Sequence, residues 1–209
     1  GVFLPVPEIY MDKIAVGPDV APEAIDLDKS PGENLNAVAA SMGVAVSDLQ
    51  VCLLDRPRHS QLVAAIRETG ARIQLIMDGD VNGAVAPGLA NSPVDVYIGI
   101  GGAPQGVLAA AALRALGGAM QGRLVIRNAD DGAKARNAGI EDPDKKLTLE
   151  EMAGGHVTLA ATGITHGPIL NGVRLAPESA VTHSMVMRSR TGTFRYIEGH
   201  HDFRRSRKD

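Results

Sequence analysis

The chain has no tryptophan, one cysteine and few aromatic residues of any kind: Phe, Trp and Tyr together make up 3%. So little aromatic surface provides no row of platforms on which the bases of a single-stranded nucleic acid could stack. Excess positive charge is missing too. A net charge of -3 and a pI near 6.1 exclude a broad polyphosphate-binding surface, so nucleic acid is not an expected partner. The single Cys52 cannot close an internal disulfide. It lies in an apolar run and is expected to be a buried, inert thiol in a reducing, cytoplasmic compartment. No apolar run reaches membrane-spanning length and no signal peptide opens the chain, so no membrane association is expected. The first residue is Gly1, not Met, as expected of a processed chain or a piece of a longer one.

What is present is an ordinary globular mixture. The 209 residues are 44% hydrophobic and 22% charged, enough to bury a core as one domain or two lobes. Pro5, Pro7, Pro18, Pro22 and Pro31 punctuate the first thirty residues, where extended structure and loops are expected. Residues 1–32 are therefore read as an N-terminal extended segment. Strand–helix alternation follows: a helix over 33–42 stopped by Gly43, a strand over 48–54, and a helix over 61–69 capped by Ser60. A strand over 72–77, a short helix over 81–89 and a strand over 94–100 come next. A glycine turn then leads into an alanine-rich helix from Val107 to Leu116. Repeated alternation of this kind predicts an α/β fold, a mainly parallel sheet with flanking helices. Further on, Thr148-Leu-Glu-Glu151 reads as a capping box. Thr191-Gly192 between two apolar runs reads as the turn of a C-terminal β-hairpin. Residues 33–200 are taken as one α/β lobe and 201–209 as a basic tail.

Three motifs fall just after three successive predicted strands: Asp55-Arg56-Pro57-Arg58-His59, Asp78-Gly79-Asp80, and the glycine turn from Gly99 to Gly106. In open α/β sheets ligands bind outside the carboxyl ends of the strands. Guanidinium forks suit phosphate oxygens, carboxylates suit sugar hydroxyls, and a glycine turn before a helix offers backbone N–H groups to an anion. The combination points to a phosphorylated sugar or polyol. Taken singly, the arginines could pair with Asp55, the Asp78–Asp80 stretch could be only a turn, and His59 is expected at a helix entry or on the surface rather than as a base.

Read in order, these stretches resemble the class II fructose-1,6-bisphosphatases of bacteria, including forms that also act on sedoheptulose-1,7-bisphosphate. The resemblance extends over Pro7-Glu-Ile-Tyr-Met-Asp-Lys-Ile-Ala-Val-Gly-Pro18, Arg56-Pro-Arg-His59, Asp78-Gly-Asp80, Gly99-Ile-Gly-Gly-Ala-Pro104, Gln121-Gly-Arg-Leu124 and Ala161-Thr-Gly-Ile-Thr165. It implies a sugar-phosphatase-like C-terminal lobe, with Tyr10, Arg56, Pro57, Arg58, Asp78, Gly79, Asp80 and Gly102 contacting substrate. The implied partner is a small-molecule sugar bisphosphate, and a homo-oligomer is compatible with the family. It also implies a divalent cation, Mn²⁺ or Mg²⁺. The family's remaining metal-binding glutamate corresponds to Gln105, and a neutral amide holds such a cation less well. The family's other acidic metal ligands, in a preceding lobe, have no counterpart in the sequence. The implied reaction is hydrolysis of the 1-phosphate of fructose-1,6-bisphosphate, as in gluconeogenesis or Calvin-type carbon metabolism, with this chain alone expected to be inactive. The alternatives are a non-catalytic sugar-phosphate-binding or regulatory relative and, less well matched, a nucleotide-binding domain, because the full Gly-x-Gly-x-x-Gly spacing is missing.

Overall fold

A computed structural model describes residues 2–206 of the chain; the end of the basic tail, 207–209, lies outside the described residues. In the first half, strands β1 (Val2–Phe3), β2 (Tyr10–Val16), β3 (Gln50–Leu54), β4 (Arg72–Ile76) and β5 (Val96–Gly102) alternate with three helices. These are α1 (Pro31–Met42), α2 (Ser60–Glu68) and α3 (Asp80–Val85). Helix α4 (Ala103–Leu116) and strand β6 (Ala119–Val125) follow, then α5 (Ala129–Asn137), β7 (Leu147–Thr148), α6 (Leu149–Met152) and β8 (Ala153–Gly154). Strands β9 (Thr158–Thr162), β10 (Arg174–Ala176), β11 (Ser179–Arg188) and β12 (Thr193–Asp202) and the short α7 (Phe203–Ser206) complete the fold.

The main sheet has six strands in the order β4-β3-β5-β2-β6-β7. It is mixed rather than mainly parallel. Strand β3 runs parallel to β4 and β5, whereas β2 is antiparallel to both β5 and β6. Strand β2 comes from the stretch expected to hold only extended chain and loops, yet it lies centrally and is buried on both faces. Its alternation explains this: Met11 and Ala15 enter one core, Ile14 and Val16 the other. The first core lies beneath α4 and includes Ala109–Ala112, Leu113, Met185 and Met187; the second lies under α1 and α2. A second, four-stranded sheet joins β11 to β12 along a hairpin, with β9 and β10 both on the other side of β11.

Local chemistry sets the element ends. Ser30 and Glu33 form a reciprocal capping box that opens α1, and Gly43 closes that helix in the left-handed region at φ 69°. A second box, Thr148 with Glu151, opens α6. Helix α2 begins at Ser60 itself, so Ser60 does not cap it. His59 holds that position, and its side chain bonds elsewhere. Helix α3 stops at Val85 rather than continuing to Leu89, and a 3₁₀ turn over Ala86–Gly88 takes over where Pro87 cannot continue an α-helix.

The glycine stretch departs most from expectation. Gly99 to Gly102 form no turn: β5 runs through Gly102 and α4 starts at Ala103 with no loop between them. The ladder with β2 extends to Tyr10 opposite Gly102, which keeps the glycines in the strand. Their missing side chains make room for neighbours instead. A Cβ on Gly99, whose φ of 143° already disfavours one, would lie 3.1 Å from the His59 ring.

Candidate functional site

Because β2 runs against β5 and β6, its first residue meets their last: Tyr10 is opposite both Gly102 and Val125. The parallel strands β3 and β4 end alongside, with Leu54 opposite Ile76. One edge of the sheet thus collects Tyr10, the segment from Asp55 to Arg58, that from Asp78 to Asp80, and the junction from Gly102 to Gln105. The three sequence motifs do converge there, as the carboxyl ends of an open sheet require.

Arg56 donates through Nη1 to the Asp55 carbonyl at 2.8 Å. Arg58 grips the Ile100 carbonyl with Nε at 3.1 Å and Nη2 at 2.7 Å, and its Cζ lies 4.8 Å from the Tyr10 ring centroid. Neither arginine has a carboxylate partner among the described residues. Both charges are therefore anchored by backbone oxygens yet uncompensated, the state expected of anion ligands. Pro57, between them, fixes the start of a 3₁₀ turn that spans Pro57–His59 and carries Arg58.

Asp78 is exposed and accepts the Gly79 N–H at 2.8 Å, and Gly79 itself sits at φ 81° just before α3. Asp80 turns inward instead. Its Oδ2 accepts from the Lys13 ammonium at 2.6 Å, and Lys13 also donates to the Gly102 carbonyl at 3.1 Å. Lys13 is 1% exposed; burial pulls its pKa down, opposed by the Asp80 charge and hydrogen bond. At the head of α4 the first N–H, from Ala103, donates to the Ile9 carbonyl, and Pro104 has none. The helix start thus offers fewer free donors than a glycine cradle would.

His59 is not a surface residue. At 1% exposure it ties strand ends together: Nδ1–H donates to the Leu54 carbonyl at 2.8 Å and Nε2 accepts the Ile100 N–H at 2.9 Å. This bonding requires the neutral ring, and burial holds its pKa below the ordinary histidine value. Beside it, burial raises the Asp12 pKa. Cys52 is buried as expected, and its thiol is pushed up to about 11.

Sequence reasoning missed Lys13 and Arg127. The Arg127 Cζ stacks 4.4 Å from the Tyr10 ring centroid while its Nε bonds Asp131 at 2.9 Å. For Lys13 no local signal was available, because its counter-charge lies 67 residues away. For Arg127 the signal was its place, two residues past a strand end. Gln105 lies exposed in the first turn of α4. Among the described residues no group of three or more His, Cys, Asp or Glu side chains could hold a metal ion, so the donors present do not fit a divalent cation. Nor is any helix among them long and apolar enough to cross a membrane. A cavity of about 800 Å³ lies between α3 and the β11–β12 hairpin, bounded by residues such as Ile76, Asn82, Leu116 and Phe194; of the candidate residues only Asp78 and Gly79 reach it.

The family model described as bacterial fructose-1,6-bisphosphatase, glpX-encoded, matches residues 1–201. A D-fructose 1,6-bisphosphatase class 2/sedoheptulose 1,7-bisphosphatase of Trichodesmium erythraeum (strain IMS101) is 43% identical over 97% of this chain and 62% of its own length. Proteins of the same description from Synechococcus sp. strains JA-3-3Ab and RCC307 are each 41% identical over 96% of the chain. The chain covers 61% and 64% of their respective lengths. Ordered strand-end motifs and a family model that matches residues 1–201 agree: the chain belongs to the bacterial, glpX-encoded fructose-1,6-bisphosphatase family.

Proposed function

We propose that this chain is the sugar-phosphate-binding part of a class 2 fructose-1,6-bisphosphatase, an enzyme that hydrolyses the 1-phosphate of fructose 1,6-bisphosphate in gluconeogenesis or Calvin-type carbon metabolism. In this reading Arg56 and Arg58 hold the phosphate that is not cleaved. Their free guanidinium N–H groups donate to its oxygens while backbone carbonyls fix their forks. Tyr10 buttresses Arg58 and walls the crevice. Asp78 and Asp80 accept hydroxyls of the sugar chain, and Gly102 with the start of α4 orients the reacting end. The observation that carries this reading is the pair of arginines anchored by backbone carbonyls, with no ion pair among the described residues, at the same end of the sheet as Asp78 and Asp80.

The residues here provide recognition and no hydrolytic step. The family's cation would neutralise phosphate charge and activate water, but among the described residues no three histidine, cysteine or acidic side chains converge to hold one. Gln105, a neutral amide at the position of the family's metal-binding glutamate, also favours a second reading, a non-catalytic sugar-phosphate-binding or regulatory relative. The test is phosphate release from fructose 1,6-bisphosphate with Mn²⁺, beside a calorimetric titration with the same sugar. Binding without turnover is the expected result. Turnover at the rate of an intact family member would place a metal site on this chain and overturn the assignment of recognition alone.

A further inference from the structure

Lys13 lies mid-strand in a segment buried on both faces of the sheet, and nothing in the substrate-binding reading above uses it. Burying an ammonium group is costly unless it is paired and hydrogen-bonded. Lys13 meets that condition with partners far along the chain: Asp80, 67 residues on, and the Gly102 carbonyl, 89 residues on. It is thus the point where the start of α3 and the β5–α4 junction are tied to the central strand. A buried ion pair adds little stability over well-packed apolar groups. What this one supplies is a carboxylate held in one place. The Asp80 side chain remains 12% exposed, and its Oδ1 takes no hydrogen bond among the described residues. Gly101 leaves the space for this arrangement, since a Cβ there would lie 2.1 Å from Asp80 Oδ2 and 2.9 Å from Lys13 Nζ.

We propose that Lys13 is a positioning residue for substrate recognition: it holds the Asp80 carboxylate by Oδ2 against Gly101 and Gly102, leaving Oδ1 to accept a hydroxyl of the sugar chain. The inference rests on the sugar-phosphate reading above. The test titrates the whole chain with two probes, fructose 1,6-bisphosphate and inorganic phosphate. The unmodified chain is expected to bind both. Lys13→Met is expected to weaken the sugar bisphosphate by about tenfold or more, the size of one lost hydrogen bond to a charged group. Phosphate, held by Arg56 and Arg58 and not by Asp80, should stay within about twofold. Gly101→Ala keeps Lys13 but displaces the carboxylate; it is expected to show the same split, and it answers the question if Lys13→Met does not fold. Unchanged affinity for the sugar bisphosphate in these variants would overturn the proposal. So would parallel loss of both probes from folded variants, the mark of a merely structural role. An unmodified chain that binds neither probe would instead overturn the underlying sugar-phosphate reading, and the inference with it.

Discussion

Ile100 donates its backbone N–H to His59 Nε2 at 2.9 Å, so one imidazole ring joins the end of β3 to the strand that carries the site's glycines. The opposite nitrogen donates to Leu54, and both bonds together need the neutral ring. The folded state therefore depresses the His59 pKa, with burial as the main cause. A depressed histidine contributes stability that is fully present above its unfolded value, about 6.5. That contribution is lost as the pH falls below this value toward the folded one. His59→Ala leaves a carbonyl and an N–H without this partner and is predicted to cost about 2–4 kcal/mol at pH 8. The gap in melting temperature between the two proteins should narrow by pH 5. A gap of constant size across that range would show that the ring's protonation is not linked to folding.

Arg58 combines charge with shape. Its fork on the Ile100 carbonyl and its stacking on Tyr10 require a planar guanidinium. Arg58→Lys keeps the charge but can form neither, so it is predicted to lose affinity for fructose 1,6-bisphosphate nearly as far as Arg58→Ala, by about tenfold or more. Calorimetric titration of the two variants checks this. Near-normal affinity in the lysine variant would mean that only a point charge is needed.

Tyr97 is fully buried, and its hydroxyl has no hydrogen-bond partner among the described residues. Burial drives that hydroxyl's pKa upward. Removing an unsatisfied buried hydroxyl while keeping the ring should be neutral or stabilising, so Tyr97→Phe is predicted to raise unfolding stability by up to about 1 kcal/mol. Chemical denaturation measures it, and a clear loss would reveal a partner for the hydroxyl.

Much of this architecture was legible in the sequence because hydrophobic runs and helix ends carry local signals. The capping pair of Thr148 with Glu151, the stop at Gly43 and the chain reversal at Gly192 depend on residues within a turn of each other. Strand β2 was not legible, because Asp12 and Lys13 interrupt its apolar run and the counter-charge that permits Lys13 lies 67 residues away. The stretch from Gly99 to Gly102 was misjudged for a related reason. Glycine signals a turn, but here pairing with β2 keeps the chain extended and the missing side chains admit His59 and Asp80. The positions of Arg56, Arg58, Asp78 and Asp80 at strand ends followed from local pattern. Their shared edge depended on a topology in which β2 is threaded between β5 and β6.

Gln105 is exposed and has no acidic cluster around it among the described residues. A single added carboxylate cannot complete the six-oxygen shell a hard cation prefers, so Gln105→Glu is predicted to bind Mn²⁺ no tighter than about millimolar. Titration of free Mn²⁺ by electron paramagnetic resonance reads this directly. Micromolar binding would reveal ligands at this edge that the donor set does not provide.

The proposed recognition of sugar bisphosphate lies where β2 begins and β3, β4 and β5 end. Amide shifts in a two-dimensional ¹H–¹⁵N spectrum, recorded while fructose 1,6-bisphosphate is added, test it most directly. The predicted result is saturable shifts at Arg56, Arg58, Asp80, Gly102 and Gln105, abolished by Arg58→Ala. Saturable shifts confined to the far side of the neighbouring cavity, at residues such as Leu116 and Phe194, or no saturable shifts at all, would contradict it.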